Sequence, residues 1–156
     1  MKVGIFIYSQ SGHTVSFART IAEHLRKAGI DTDIELLRCR GIPKPWTRNI
    51  EFRRIPDVTE YDIILFGGPV WAFNASRVIL AFIQTIDSLK GKKAIPFVTH
   101  GLPLKFGPKR ALKNMSKKLD VLCADVLEGE SVHYIIRANK TKLNEAVERI
   151  VERVKS

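Results

Sequence analysis

The chain reads as an α/β protein: a doubly wound, five-stranded parallel sheet with helices on both faces, in a three-layer sandwich. Two observations predict this. Apolar, strand-like runs alternate with segments of helical apolar spacing from one end of the chain to the other. Two of those runs, Val3 to Tyr8 and Tyr61 to Gly68, are apolar almost throughout, as expected for strands covered on both faces. A length of 156 residues suits one domain, spanning 1–156, with enough chain to bury a core.

Lys2 to Tyr8 makes the first strand. Ala18, Ile21, Ala22 and Leu25 then recur at helical spacing, with Arg19, Glu23, Arg26 and Lys27 facing away, and Gly29 is placed to end that helix. Thr32 to Leu37 alternates apolar and polar residues, as a strand nearer the edge does. Cys39 to Glu60 is broken by Pro43, Pro45 and Pro56 and reads as a long loop with at most a short extended piece. Tyr61 to Gly68 is the central strand, and Ile79, Phe82, Ile83 and Ile86 mark the helix after it. Ala94 to Thr99 is a fourth strand, weakened by Pro96. Ala111, Leu112, Met115 and Leu119 line a helix whose other side carries lysines. Val121 to Leu127 is expected as the fifth strand, and Val132 to Ile136 either extends it or pairs beside it. Leu143, Ala146, Val147, Ile150 and Val154 define the last helix.

Composition narrows the setting. No apolar run approaches the roughly 20 residues needed to cross a bilayer, and the first strand begins too early for a signal peptide to precede it. Cys39 and Cys123 have no partner at metal-ligand spacing, and the four histidines are scattered, so no metal site is expected. Two reduced thiols fit a cytoplasmic protein. The net charge of +10 is uneven. Arg38, Arg40, Lys44, Arg48, Arg53 and Arg54 form one cluster; Lys105, Lys109, Arg110, Lys113, Lys117 and Lys118 form another. They are either solvated faces or a surface that attracts an anionic partner or substrate.

In open parallel sheets, ligands bind beyond the carboxyl ends of the strands. Three loops belong there: 9–14, 69–76 and 99–107. The first, Ser9-Gln10-Ser11-Gly12-His13-Thr14, has hydroxyls and a glycine at a strand-to-helix turn, where backbone N–H groups and the helix end suit a phosphate. The plainer alternative is that Ser11 or Thr14 caps the helix. The second, Pro69-Val70-Trp71-Ala72-Phe73-Asn74, places aromatics where a flat ring can stack. The third, Thr99-His100-Gly101-Leu102, allows close backbone approach at Gly101. Together they suit a phosphorylated planar heterocycle.

From Lys2 to about Val154 the chain resembles the flavodoxin-like FMN-binding flavoproteins. The first turn matches the family's phosphate pattern at Ser9, Ser11, Gly12 and Thr14. Tyr61-Asp62 through Gly68-Pro69-Val70-Trp71, with Asn74, Ser76 and Phe82, is similar to its second block, and Phe97-Val98-Thr99 with Gly101 to its third. The resemblance implies FMN as cofactor, its phosphate on Ser9 to Thr14. It also implies Trp71 stacked on or shielding the ring, and Thr99 to Leu102 bordering the other side or the pyrimidine edge. The alternative for Trp71 is a hydrophobic plug. The implied function is electron transfer or a small flavin-dependent reduction of the NAD(P)H or quinone type, with no catalytic side chain assigned.

Two positions depart from the family. Many relatives carry glycine where Phe73 stands, and its peptide can flip toward the reduced flavin; Phe73 is expected to resist φ > 0. His100 either donates a proton or hydrogen bond near the flavin or only closes the loop. The basic charge departs from typically acidic carriers and suggests a reductase-like role, or an anionic redox partner, either a protein or a small-molecule acceptor. The rival is a non-redox basic module of the same fold that binds nucleic acid; a pure binding module has no need of the hydroxyl turn and Trp71 together, so nucleic acid is the disfavoured partner. Oligomeric state is left open. Other doubly wound classes lack their signatures here: Tyr8 and Gly68 stand where a phosphoacceptor domain needs carboxylates, and no G-x-G-x-x-G, Walker lysine or first-turn cysteine occurs.

Overall fold

In the computed structural model, which describes residues 1–101, 106–134 and 140–156, strands and helices alternate as the apolar pattern requires. In chain order they are β1 (Lys2–Ile7), α1 (His13–Lys27), β2 (Asp31–Leu36), β3 (Ile63–Trp71), β4 (Asn74–Ala75), α2 (Arg77–Thr85), β5 (Lys93–His100), α3 (Phe106–Val121), β6 (Asp125–Val126), β7 (Glu130–His133) and α4 (Lys140–Lys155). The sheet order is β2-β1-β3-β5-β6, with β7 also on β5 and β4 folded back antiparallel on β3.

Strand alternation sends side chains to two cores. Val3, Ile5 and Ile7 pack toward α1 and α4, against Phe17, Ile21, Ala146 and Ile150. Phe6 and Tyr8 pack toward α2 and α3, where Phe6 stacks on Phe82 with centroids 5.5 Å apart. α1 ends as Gly29 suggests: with Gly29 at φ 79°, its N–H donates to the Arg26 carbonyl at 2.9 Å and the Ile30 N–H to Leu25 at 3.0 Å. Gly67 is needed for another reason. A Cβ there would lie 2.1 Å from Cζ of Phe97, whose ring fills the core between β3 and α1.

One expectation needs correction. The fifth strand does not start at Val121, which instead ends α3; of that stretch only Asp125–Val126 and then Glu130–His133 pair with β5. The break between these two pieces lies opposite Pro96. From Ala94 to Phe97 is three steps along β5, but from their partners Val126 to Glu130 is four, so the outer side bulges opposite a residue without an N–H. Gly129 fits the bulge because a Cβ would lie 2.6 Å from the Pro96 carbonyl oxygen. β7 is then tied to α4 by buried Glu130, whose oxygens accept from Arg149 Nε at 2.8 Å and Arg153 Nη1 at 2.6 Å. Ile135 and Ile136, the end of the expected sixth segment, lie outside the described residues.

The doubly wound parallel sheet is as expected along its five-strand path; among the described residues β7 and the hairpin strand β4, antiparallel to β3, bring the strands to seven. The 39–60 segment is a loop with one short extended contact, as expected, and it is pinned. Cys39 and Phe52 form an antiparallel bridge, flanked by Arg40 N–H to the Glu51 carbonyl and Arg53 N–H to the Arg38 carbonyl, both 2.9 Å. Phe52 then packs edge-on to Phe82 of α2.

Gly67→Ala is expected to lower stability by about 2 kcal/mol or more, because the methyl group overpacks a filled core. Urea unfolding should show an earlier midpoint with an unchanged slope.

Candidate functional site

The carboxyl ends of β1, β3 and β5 carry the three loops to one rim, because the ladder pairs Ile7 with Gly67 and Gly67 with Phe97. In the first turn Ser9 is half-buried, and Gln10, Ser11, Gly12 and His13 are exposed. Gly12 is the N-cap of α1 at φ 90°, a left-handed conformation that favours glycine, and its N–H donates to Ser9 Oγ at 3.1 Å. No side chain caps the helix, so neither Ser11 nor Thr14 plays the capping part. Nothing lies within 4 Å of a Cβ built on Gly12. An uncapped helix end beside open space and exposed serine chemistry fits a phosphate.

Thr14 lies elsewhere than its neighbours. It is buried, and its hydroxyl shares a 2.8 Å hydrogen bond with the hydroxyl of buried Thr99, 85 residues away. The pair fastens the first turn of α1 to the end of β5. What Thr14 can offer a phosphate is therefore its backbone N–H.

Pro69, Val70 and Trp71 continue β3 rather than opening a loop, and Trp71 pairs with Asn74 across the two-residue turn Ala72-Phe73. Both turn residues are left-handed, Ala72 at φ 48° and Phe73 at φ 65°, the pattern of a type I′ hairpin turn. Phe73 therefore does not resist φ > 0. The hairpin overrides its preference because Asn74 Oδ1 accepts from Ala75 N–H and from Asn114 Nδ2, each at 2.8 Å, and Ser76 N–H donates to the Pro69 carbonyl at 3.0 Å. Two non-glycine residues held this way store about 1–3 kcal/mol each. Ser76, fully buried, caps α2 by accepting from Val78 N–H at 3.1 Å. Trp71 is half-buried and stands at 81° to the Tyr8 ring, centroids 5.5 Å apart. Burial, and secondarily Cys39 nearby, pushes the Tyr8 phenol above its usual range.

On the third segment, Thr99 and His100 finish β5, and Leu102 lies outside the described residues. Gly101 makes room for a residue the sequence reading passed over: a Cβ there would sit 2.7 Å from Tyr134 Oη. Tyr134 N–H donates to the His100 carbonyl at 3.2 Å, and its ring lies flat on His13, 3.8 Å between centroids and 8° between planes. His133 stands beside it, 5.1 Å from the His100 ring, and its Nε2 is buried with no hydrogen-bond partner among the described residues. A bound molecule with polar edges would satisfy that nitrogen. The signal available in the sequence was His133-Tyr134, aromatic and titratable residues at the end of a strand on the same rim.

With that geometry in view, comparison with known proteins is decisive for the family. A sequence profile described as flavodoxin matches residues 44–150, so the chain belongs to the flavodoxin family. FMN is the cofactor of that family, and its chemistry is flavin-dependent electron transfer or oxidoreduction. A flavodoxin from Streptococcus pneumoniae TIGR4 superposes with a TM-score of 0.75 at 18% identity, covering 97% of this chain and 96% of that one. Oxidised flavodoxin 1 from Bacillus cereus superposes at 0.69 with 24% identity, covering 99% and 98%. A protein from Caulobacter vibrioides named NAD(P)H dehydrogenase (quinone) is 26% identical over 102 residues, 60% of this chain. The match covers 51% of that relative, so the chain spans about half its length. Among the described residues, no helix is long and apolar enough to cross a membrane.

Phe73→Gly is expected to raise stability by roughly 0.5–1 kcal/mol, the relief of a left-handed side chain less the entropy of a new glycine. Phe73 is 52% exposed, so little burial is lost, and thermal melts of the two proteins check the sign.

Proposed function

We propose that this chain is a flavin-dependent reductase, not a generic electron carrier, with FMN held by its phosphate at Ser9 to Thr14. The observation that supports this most is the uncapped N-terminus of α1, open beside Gly12 and free of lysine and arginine, on the same rim as Trp71 and Gly101. In this reading Ser9 and Ser11 offer hydroxyls and Gln10 to Thr14 offer backbone N–H groups to the phosphate. Pro69 to Asn74 and Thr99 to Gly101 border the ring system, with Trp71 as the aromatic wall. FMN supplies the electron-carrying chemistry; the protein binds, orients and shields it. The Thr14–Thr99 hydroxyl pair keeps phosphate turn and ring segment at a set spacing. His100 closes the third segment through its carbonyl, which accepts from Tyr134.

The reductase reading rests on charge and on the named relative. A net charge of +10 favours an anionic reduced flavin and an anionic electron acceptor or donor. The Caulobacter vibrioides protein, of which the match covers about half, carries a name of that reaction type. A cytoplasmic setting fits two thiols that are free in the fold, Cys39 half-buried and Cys123 exposed.

Reconstitution tests the cofactor site. FMN is expected to bind with a flavin spectrum, and Gly12→Ala to weaken it about tenfold or more by straining the turn and crowding the phosphate. Riboflavin, which lacks the phosphate, should lose much less; equal losses would place the phosphate elsewhere. A second measurement addresses the partner. Electron-transfer rates to an anionic acceptor are expected to fall as salt is added, and rates that stay level or rise would remove the case for electrostatic attraction.

A further inference from the structure

The 39–60 loop, the β3–β4 hairpin, α2 and α3 border an open cavity of about 440 Å³, a volume within the range of small-molecule sites. Four cations line it: Arg48 from the loop, Arg77 from α2, and Arg110 and Lys118 from α3. Among the described residues, no carboxylate lines it. These charges come from three elements, Arg48 from one basic cluster, Arg110 and Lys118 from the other and Arg77 from neither, so local composition did not bring them together. Some other cations are engaged within the fold. Arg54 meets Glu35 at 2.8 Å, Arg149 and Arg153 meet Glu130, and Lys44 lies 5.6 Å above the Trp46 ring. Among the described residues, none of the four cavity cations has an ion-pair partner.

Two details sharpen the anion preference. Arg77 is the first residue of α2, where the helix end is itself positive, and that turn carries no acid. A cation there disfavours the helix and adds to the positive field of the cavity, and clustered same-sign charge concentrates counter-ions. The remaining lining is of a different kind. Trp71 and Pro45 offer flat apolar surface, and Asn74 and Gln84 offer amides. Four cations call for more than one negative charge, and the flat wall calls for a planar ring.

We propose that this cavity binds a nucleotide carrying two or more negative charges, its phosphates on Arg48, Arg77, Arg110 and Lys118 and its base against Trp71. The proposal stands without the flavin reading, since none of the four cations belongs to the segments assigned to FMN. The two sites share Trp71, Ala72 and Asn74, so a nucleotide here lies along the hairpin offered to the ring. Sources of such a ligand are a free nucleoside diphosphate and the adenosine diphosphate half of a dinucleotide; both present the same phosphates.

The test is calorimetric titration of the protein, with and without bound FMN, using ADP, adenosine and NADPH. ADP is expected to bind at least about tenfold more tightly than adenosine, more weakly as salt rises. NADPH binding more tightly than ADP would assign the site to the dinucleotide, and equal binding to the free nucleotide. Arg48→Gln and Arg110→Gln, on different elements, should each weaken ADP about tenfold, the loss of a charge-assisted contact. FMN affinity and melting temperature should be unchanged in both variants. Adenosine binding as well as ADP, no ADP binding by the folded protein, or ADP binding lost in Gly12→Ala but kept in Arg110→Gln would each overturn the proposal. Failure of the flavin reading has its own signature, absence of FMN uptake with ADP binding intact.

Discussion

Register between β1, β3 and β5 is the constraint on which the site depends. Three parallel strands, paired Ile7 to Gly67 and Gly67 to Phe97, must end together, and their ends deliver the hydroxyl turn, the Trp71 hairpin and the Thr99 segment to one place. A slip of one residue would turn Phe6 and Phe66 out of one core and Ile5 and Leu65 out of the other. Gly67 secures this from within, since its missing side chain is the space that Phe97 occupies. The Thr14–Thr99 hydroxyl pair then fixes the helix to the rim at the level where the cofactor is proposed to lie.

Strain and charge are both concentrated near that rim. Ala72 and Phe73 are held left-handed by the hairpin and by Asn74, and the cavity with four cations begins at the same hairpin. Neither feature helps the protein fold. A left-handed phenylalanine costs energy, and unpaired arginines repel one another. Left-handed backbone and unpaired cations thus meet at the end of the sheet where open parallel sheets bind ligands.

Much of the architecture could be read from the chain. The continuous apolar runs of β1 and β3, the helical spacing in α1 and α4, and Gly29 as a helix stop are local signals, and each is found as expected. The misses share a cause, which is that the deciding partner is distant. The break lies in the strand beside Pro96, not in its own. Phe73 adopts positive φ because strand pairing on both sides demands it. The 39–60 segment was legible as a loop with a short extended piece, but not what orders it, the Cys39–Phe52 bridge and Phe82, thirty residues further on. In the candidate site, the turn at Ser9 to Thr14 was legible as a motif. The inward turn of Thr14, the stacking of Tyr134 on His13 and the meeting of Arg48 with Arg110 were not, since each joins segments that the sequence keeps apart.

The bulge opposite Pro96 has a consequence for how copies of this chain behave in a crowded solution. A sheet border normally offers an uninterrupted row of free amides and carbonyls, along which another molecule can zip. Here the outermost row is two short pieces out of step by one residue, and the far border, β2, alternates Asp31, Asp33 and Glu35 along its length. Neither margin presents a straight, neutral template, so the protein carries its own guard against fibrous association.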